Sequence, residues 1–156
     1  MSKLVTLPAL DLRSMIFHRT LEDKAFFSGL IMNASVGNYS HVQFLNPTGS
    51  GKTAYFWSII PQPHASIGRV IRSYDTALTT NTAAIANLKR GGTRNPVVQA
   101  RTQDNATQLG TAIATFRVDE PILTDCLLIL PPGKAFTCTT DIQNTTCDMI
   151  GLWWED

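Results

Sequence analysis

At 156 residues the chain is the size of one domain with room for an arm. Hydrophobic residues make up 44% and charged residues 16%, below the ordinary ~25%; this excludes a highly charged disordered chain and points to a subunit that hides surface in an assembly. The net charge of +1 offers no basic excess, so no nucleic-acid partner is expected.

Residues 1–8 carry one lysine and a broken apolar run, unlike a secretory signal. No segment has the roughly 18–20 apolar residues of a membrane span, so synthesis in a cytoplasm and no membrane partner are expected. Residues 10–24 mix charged and apolar side chains without strict alternation and predict a short helix or an extended arm. From Phe26 onward, short β-branched and aromatic runs alternate with Gly, Pro, Asn and Ser clusters. They predict strands near 26–32, 39–45, 53–60, 67–74, 97–101, 111–118, 126–130, 135–140 and 148–154. In 111–118 the large residues Ile113, Phe116 and Val118 do not hold one phase, which predicts a bulge or register change. Residues 75–95 are Thr/Ala-rich and predict either a long excursion or a short helix around 82–88. The reading is all-β: an N-terminal arm or short helix over 1–25, then an antiparallel, jelly-roll-like β-sandwich over 26–156.

The string Asn46-Pro47-Thr48-Gly49-Ser50-Gly51-Lys52-Thr53 approaches a phosphate-binding loop, with Asn46 in place of the first glycine. A phosphate loop must open a helix. Here Ala54-Tyr55-Phe56-Trp57-Ser58-Ile59-Ile60 follows, which reads as a strand, so the string is expected to be a Gly/Ser-rich hairpin turn without nucleotide affinity. His18, His41 and His64 are scattered and do not form a ligand set. Cys126, Cys138 and Cys147 lack C-x-x-C spacing; Cys138 and Cys147 would face each other across a hairpin, but three free thiols are expected. No catalytic residue, cofactor or metal is assigned, and the chain is read as not an enzyme.

Charge is uneven along the chain. Residues 25–101 hold seven basic side chains and one acid, whereas 102–156 hold two basic side chains and eight acids. Either the two halves interleave within one sandwich, or basic and acidic patches meet between copies. The basic segment Lys89-Arg90-Gly91-Gly92-Thr93-Arg94 lacks interleaved aromatics for base stacking and reads as a solvated loop or a contact to an acidic protein surface. Strand alternation puts Trp153 and Trp154 on opposite faces, one anchoring the core and the other exposed or covered by a neighbour.

Three stretches in this order carry a resemblance. They are Val42-Gln43-Phe44-Leu45 leading into the 46–53 string, Val70-Ile71-Arg72-Ser73-Tyr74-Asp75-Thr76-Ala77-Leu78, and Leu130-Pro131-Pro132-Gly133-Lys134-Ala135 before a strand ending Trp153-Trp154-Glu155-Asp156. Over about residues 26–156 the sequence resembles small β-sandwich virion proteins of tailed bacteriophages. The resemblance implies a virion location and a non-enzymatic capsid cement or decoration subunit. It implies a homo-oligomer that contacts other virion proteins, either the major capsid protein or tail proteins. Leu12, Met15, Phe17, Arg90, Arg94, Trp153 and Trp154 are the expected subunit interface. The alternatives are a tail or fibre-attachment protein, or a carbohydrate- or receptor-binding sandwich in which Tyr55 and Trp57, on one face, form either core or platform.

Overall fold

The structure is a computed structural model and describes residues 12–61, 68–81, 84–116 and 123–156. Helix α1 (Leu12–Leu21) precedes β1 (Ala25–Asn33), β2 (Tyr39–Asn46), β3 (Ala54–Pro61), β4 (Arg69–Ser73), β5 (Thr80–Asn81) and β6 (Ala86–Asn87). There follow β7 (Gln99–Asn105), β8 (Thr111–Phe116), β9 (Leu123–Leu130), β10 (Lys134–Thr140) and β11 (Thr146–Glu155). One sheet has the order β6-β1-β11-β3-β9 and the other β5-β7-β2-β10-β4-β8. Among the described residues all pairings are antiparallel.

The pairing is nested. Ala25 lies opposite Trp154, Asn46 opposite Lys134, Ala54 opposite Leu130 and Arg69 opposite Phe116. The first and last thirds of the chain thus form one long antiparallel ribbon. The ribbon folds over so that its successive segments alternate between sheets. That is the jelly roll, here with β7 and β5 added beside β2. The same nesting interleaves the basic and acidic halves: Lys52 pairs with Glu155 at 3.5 Å and Arg69 with Asp148 at 3.5 Å.

Inward-facing residues of both sheets build one core. Phe44, Phe56 and Trp153 form its aromatic centre, with ring centroids 5.1–5.6 Å apart. Gly151 sits against these rings; a Cβ there would stand 2.6 Å from the Phe44 ring. In β8, Ile113 is skipped by the register between Ile71–Ala114 and Arg72–Ala112, which is the bulge that the broken phase of this strand predicts.

Two expectations on connections are corrected, and a third is decided between its two alternatives. Residues 46–53 do not close a hairpin but carry the chain from β2 in one sheet to β3 in the other. The same holds between β10 and β11, so Cys138 and Cys147 meet across the core rather than along a hairpin. Both are free thiols, and the Cys147 thiol together with burial raises the Cys138 pKa well above the usual thiol value. Residues 84–88 are not helical. The excursion contributes β5 to one sheet and β6 to the other, and so straps the two together. In the turn itself, Asn46 Nδ2 donates to the carbonyls of Lys52 and Leu130, both at 2.8 Å. Gly49 and Gly51 have φ of 80° and 70°, the left-handed region where glycine is favoured.

Candidate interaction surface

Helix α1 lies on the outer face of the sheet that contains β11. Met15 and Ile16 pack over Trp57 and Trp154, beside Tyr55, Leu88 and Leu152. Trp154 is stacked on one side by Tyr55, at 5.3 Å and 12°, and on the other by Trp57, at 5.6 Å and 25°. Tyr55 and Trp57, two apart on β3, share this outer face by alternation, and the extra residue that β3 carries against β11 between Phe56 and Ser58 then shifts the phase so that Ile59 turns into the core.

The helix ends in a left-handed cap. The Lys24 amide donates to the Arg19 carbonyl and the Asp23 amide to the Thr20 carbonyl, a Schellman arrangement with Asp23 at φ 64° in the position that glycine usually takes. The Asp23 carboxylate explains this choice. It accepts from the amides of Thr93 (3.0 Å) and Arg94 (3.2 Å) and from Asn87 Nδ2. Burial alone would raise the Asp23 carboxyl, but these donors hold it below the ordinary aspartate value. A Cβ on Gly92 would collide with the same carboxylate, so glycine permits the close approach. Helix α1 is further tied to the C-terminus through ion pairs of Arg19 and Lys24 with Asp156, and Lys89 Nζ donates to the Leu21 carbonyl.

The result is a pinned helix beside a pinned basic loop. Phe17 is 60% and Leu21 55% exposed on the helix. Arg90 and Arg94 are exposed on the loop, and their guanidinium groups have no ion pair or hydrogen bond among the described residues. Of the residues expected at an interface, the structure brings Phe17, Arg90 and Arg94 to one end of the molecule, and Leu12 opens the same helix. Met15 instead packs inward. The tryptophans are a correction: alternation does put them on opposite faces, but Trp153 (0% exposed) and Trp154 (1% exposed) are both buried within their own chain. The helix covers the second face, so no neighbour is needed for it. Residues 12–24 of the expected arm are likewise part of the body, and residues 1–11 lie outside the described residues. The Tyr55–Trp57 platform is under the helix as well.

Beyond the helix the same sheet face carries further apolar side chains, up to the buried Asp148 opposite Ile31. Phe27, Ile31, Ile60 and Ile129 are 40–60% exposed, with Ile150 and Leu152 half-buried between them. The sequence carried a signal for this: in β1 both phases are apolar, Phe26, Leu30 and Met32 on one and Phe27 and Ile31 on the other.

The outer face of the other sheet is closed by its own chain. Gln43, fully buried, donates to the carbonyls of Tyr74 and Thr76 and accepts from the Leu78 amide at 3.1 Å. Arg72 donates to the carbonyls of Leu109 and Gly110 and to Gln108 Oε1. His41 is buried on the same face, and neither ring nitrogen has a hydrogen-bond partner among the described residues. Burial depresses its pKa to about 4.

Of the three histidines, His18 is on α1 and His41 on the opposite outer face, while His64 lies outside the described residues. Among the described residues no three His, Cys, Asp or Glu side chains group as a metal site. Lys52, the lysine of the phosphate-loop-like string, is engaged with the buried Glu155 carboxylate, which also accepts from the Val97 and Val98 amides. No helix among the described residues is long and apolar enough to cross a membrane. No protein-family model, curated protein or solved structure matches the chain.

Proposed function

We propose that this chain is a non-enzymatic structural subunit of a tailed-bacteriophage virion, a capsid cement or decoration protein that works through protein–protein contacts. The observation that carries the reading is the rigid end formed by α1 and the 89–94 loop. An aromatic side chain, a leucine and two unpaired arginines are held outward by a Schellman cap, a carboxylate hub and C-terminal ion pairs. Aromatic and arginine anchors on a preorganised scaffold lose little entropy on docking and dominate binding energy at protein interfaces. The partner that fits offers an apolar pocket rimmed by acidic side chains. The jelly roll adds support by analogy only, since viral shell proteins and lectins share it. The resemblance in the turn sequences points the same way. The test is a comparison by cryo-electron microscopy of particles made with the wild-type chain, without it, and with Phe17→Ser/Arg90→Glu/Arg94→Glu. The expected result is jelly-roll density that vanishes in the deletion and falls in occupancy with the triple variant. Particles identical in all three cases would refute the role.

A further inference from the structure

We propose that the end of the sandwich opposite α1 is a second contact surface, and that its partner is the α1 end of another copy of this chain. Strand β1 joins the two ends. It leaves α1 at Ala25 and, nine residues and about 30 Å later, delivers the chain at Asn33 to the turn before β2. That turn lies beside the connection between β10 and β11. The Asn144 amide donates to the Asn38 carbonyl, and Thr146 Oγ1 donates to Asn33 Oδ1.

The two ends are built alike. Among the described residues only two non-glycine residues have positive φ, Asp23 at 64° and Asn144 at 61°, one at each end. Such conformations persist where surrounding contacts fix them. Asp23 pins the 89–94 loop to the helix cap. At the far end Asn144 Oδ1 accepts from the Gly37 amide and so pins the 34–38 turn. Asp104 adds to this by accepting from the Ser35 amide (3.1 Å) and from Asn38 Nδ2 (2.9 Å). These donors hold its carboxyl at about 2, so it is ionised at neutral pH. On the pinned loops Val36 is 95% and Ile142 53% exposed.

Charge selects the occupant. The α1 end presents Arg90 and Arg94 without ion pairs, beside the exposed Phe17 and Leu21. The far end presents the opposite sign. Asp141, next to Ile142, is exposed, and its carboxylate has no ion pair or hydrogen bond among the described residues. Asp104 supplies a second negative charge. The cations of β4 do not cancel them: Arg69 is buried against Asp148, and Arg72 is buried against loop carbonyls. One end therefore offers apolar side chains with free cations, and the other apolar side chains with anions, which is complementarity between unlike ends. Two α1 ends meeting each other would oppose like charges. Surfaces at opposite ends of one chain make a head-to-tail contact, which does not close on two copies. The inference rests on the reading of α1 and the 89–94 loop as a contact surface, but not on the virion role. It is tested on the purified chain, so its failure would leave the particle comparison standing.

The test is sedimentation velocity on the full chain at rising concentration and low salt. The wild type is expected to form dimers and longer species with concentration, and to lose them as salt is added. Val36→Lys/Asp141→Lys breaks the far end, and Arg90→Glu/Arg94→Glu breaks the α1 end. Each variant alone should sediment as a monomer with a cooperative melt. In an equal mixture each keeps the end that the other lacks, so the two should form a dimer and nothing longer. If Val36→Lys/Asp141→Lys loses its cooperative melt, Val36→Lys alone makes the same comparison. A wild type that stays monomeric throughout would overturn the proposal. So would a far-end variant that associates like the wild type, or a mixture of the two variants that stays monomeric.

Discussion

The outer faces of the two sheets are finished by different chemistry. Over β2, β10 and β4 the chain closes the sheet with its own polar loops, and side chains such as Gln43 and Arg72 bind loop carbonyls directly. Over β1, β11 and β3 it uses packing: an aromatic ladder under α1, then bare apolar side chains. A face sealed by buried hydrogen bonds has few alternative partners, because any competitor must replace every bond. A face sealed by packing is less specific and accepts another apolar surface at little cost. The contrast separates the part of the molecule that maintains the fold from the part available for contact.

The largest effects should come from breaking each seal at its centre. Trp154→Ala removes the middle of the ladder beneath α1 and should cost about 3–5 kcal/mol, as for other buried aromatics. Chemical denaturation would measure this, and an unchanged midpoint would mean that the helix does not depend on the ladder. On the other face, Arg72→Met leaves the Leu109 and Gly110 carbonyls without their charged donor and should cost about 2–4 kcal/mol. If the two losses are independent they should add in the double variant, since the substitutions lie on opposite sides of the core.

A pH titration sharpens the comparison, because His41 belongs to the polar face only. Burial holds its folded pKa at about 4, below the ordinary histidine value of 6.5. Between those values the unfolded chain takes up a proton that the folded chain does not, so stability falls as pH drops from about 6.5 to about 4 and this contribution levels off below. The loss is on the order of 3 kcal/mol. His41→Leu should flatten the slope in that window. An unchanged slope would place the titration elsewhere. Smallest is Lys52→Ala at the sheet crossover. Removing its partly exposed ion pair with Glu155 should cost about 1 kcal/mol or less. Calorimetry should find no magnesium-dependent ATP binding before or after the change.

Much of the sandwich was legible in the sequence, because alternation and turn residues are local. Each expected strand has its counterpart, and the phase break at Ile113 marks a real bulge. What local chemistry leaves open is the sheet to which a strand goes. The glycine-rich turn after Asn46 would serve a hairpin as well as the crossover that it makes. The strand expected at 97–101 runs from Gln99 to Asn105. Its polar Thr102, Gln103 and Asp104 hid it: Gln103 lies beside His41 on the loop-covered outer face, whereas Thr102 is buried opposite Val42 on the core side, where a polar residue gives no strand signal. Of the candidate site, the exposure of Arg90 and Arg94 was legible in the basic, glycine-rich 89–94 segment, and Phe17 in the apolar side chains of the segment before β1. Asp23 was not, because its role depends on a left-handed cap and on a loop some 70 positions away.

In the proposed role the α1 and 89–94 end makes contact while the face sealed by Gln43 and Arg72 stays free. A cryo-electron microscopy map of particles carrying this chain, at a resolution that orients the jelly roll, tests it directly. The expected map has Phe17, Leu21, Arg90 and Arg94 facing a neighbouring protein and the segments 74–79 and 105–110 facing solvent. A map in which those two segments are covered and Phe17 points to solvent would contradict it.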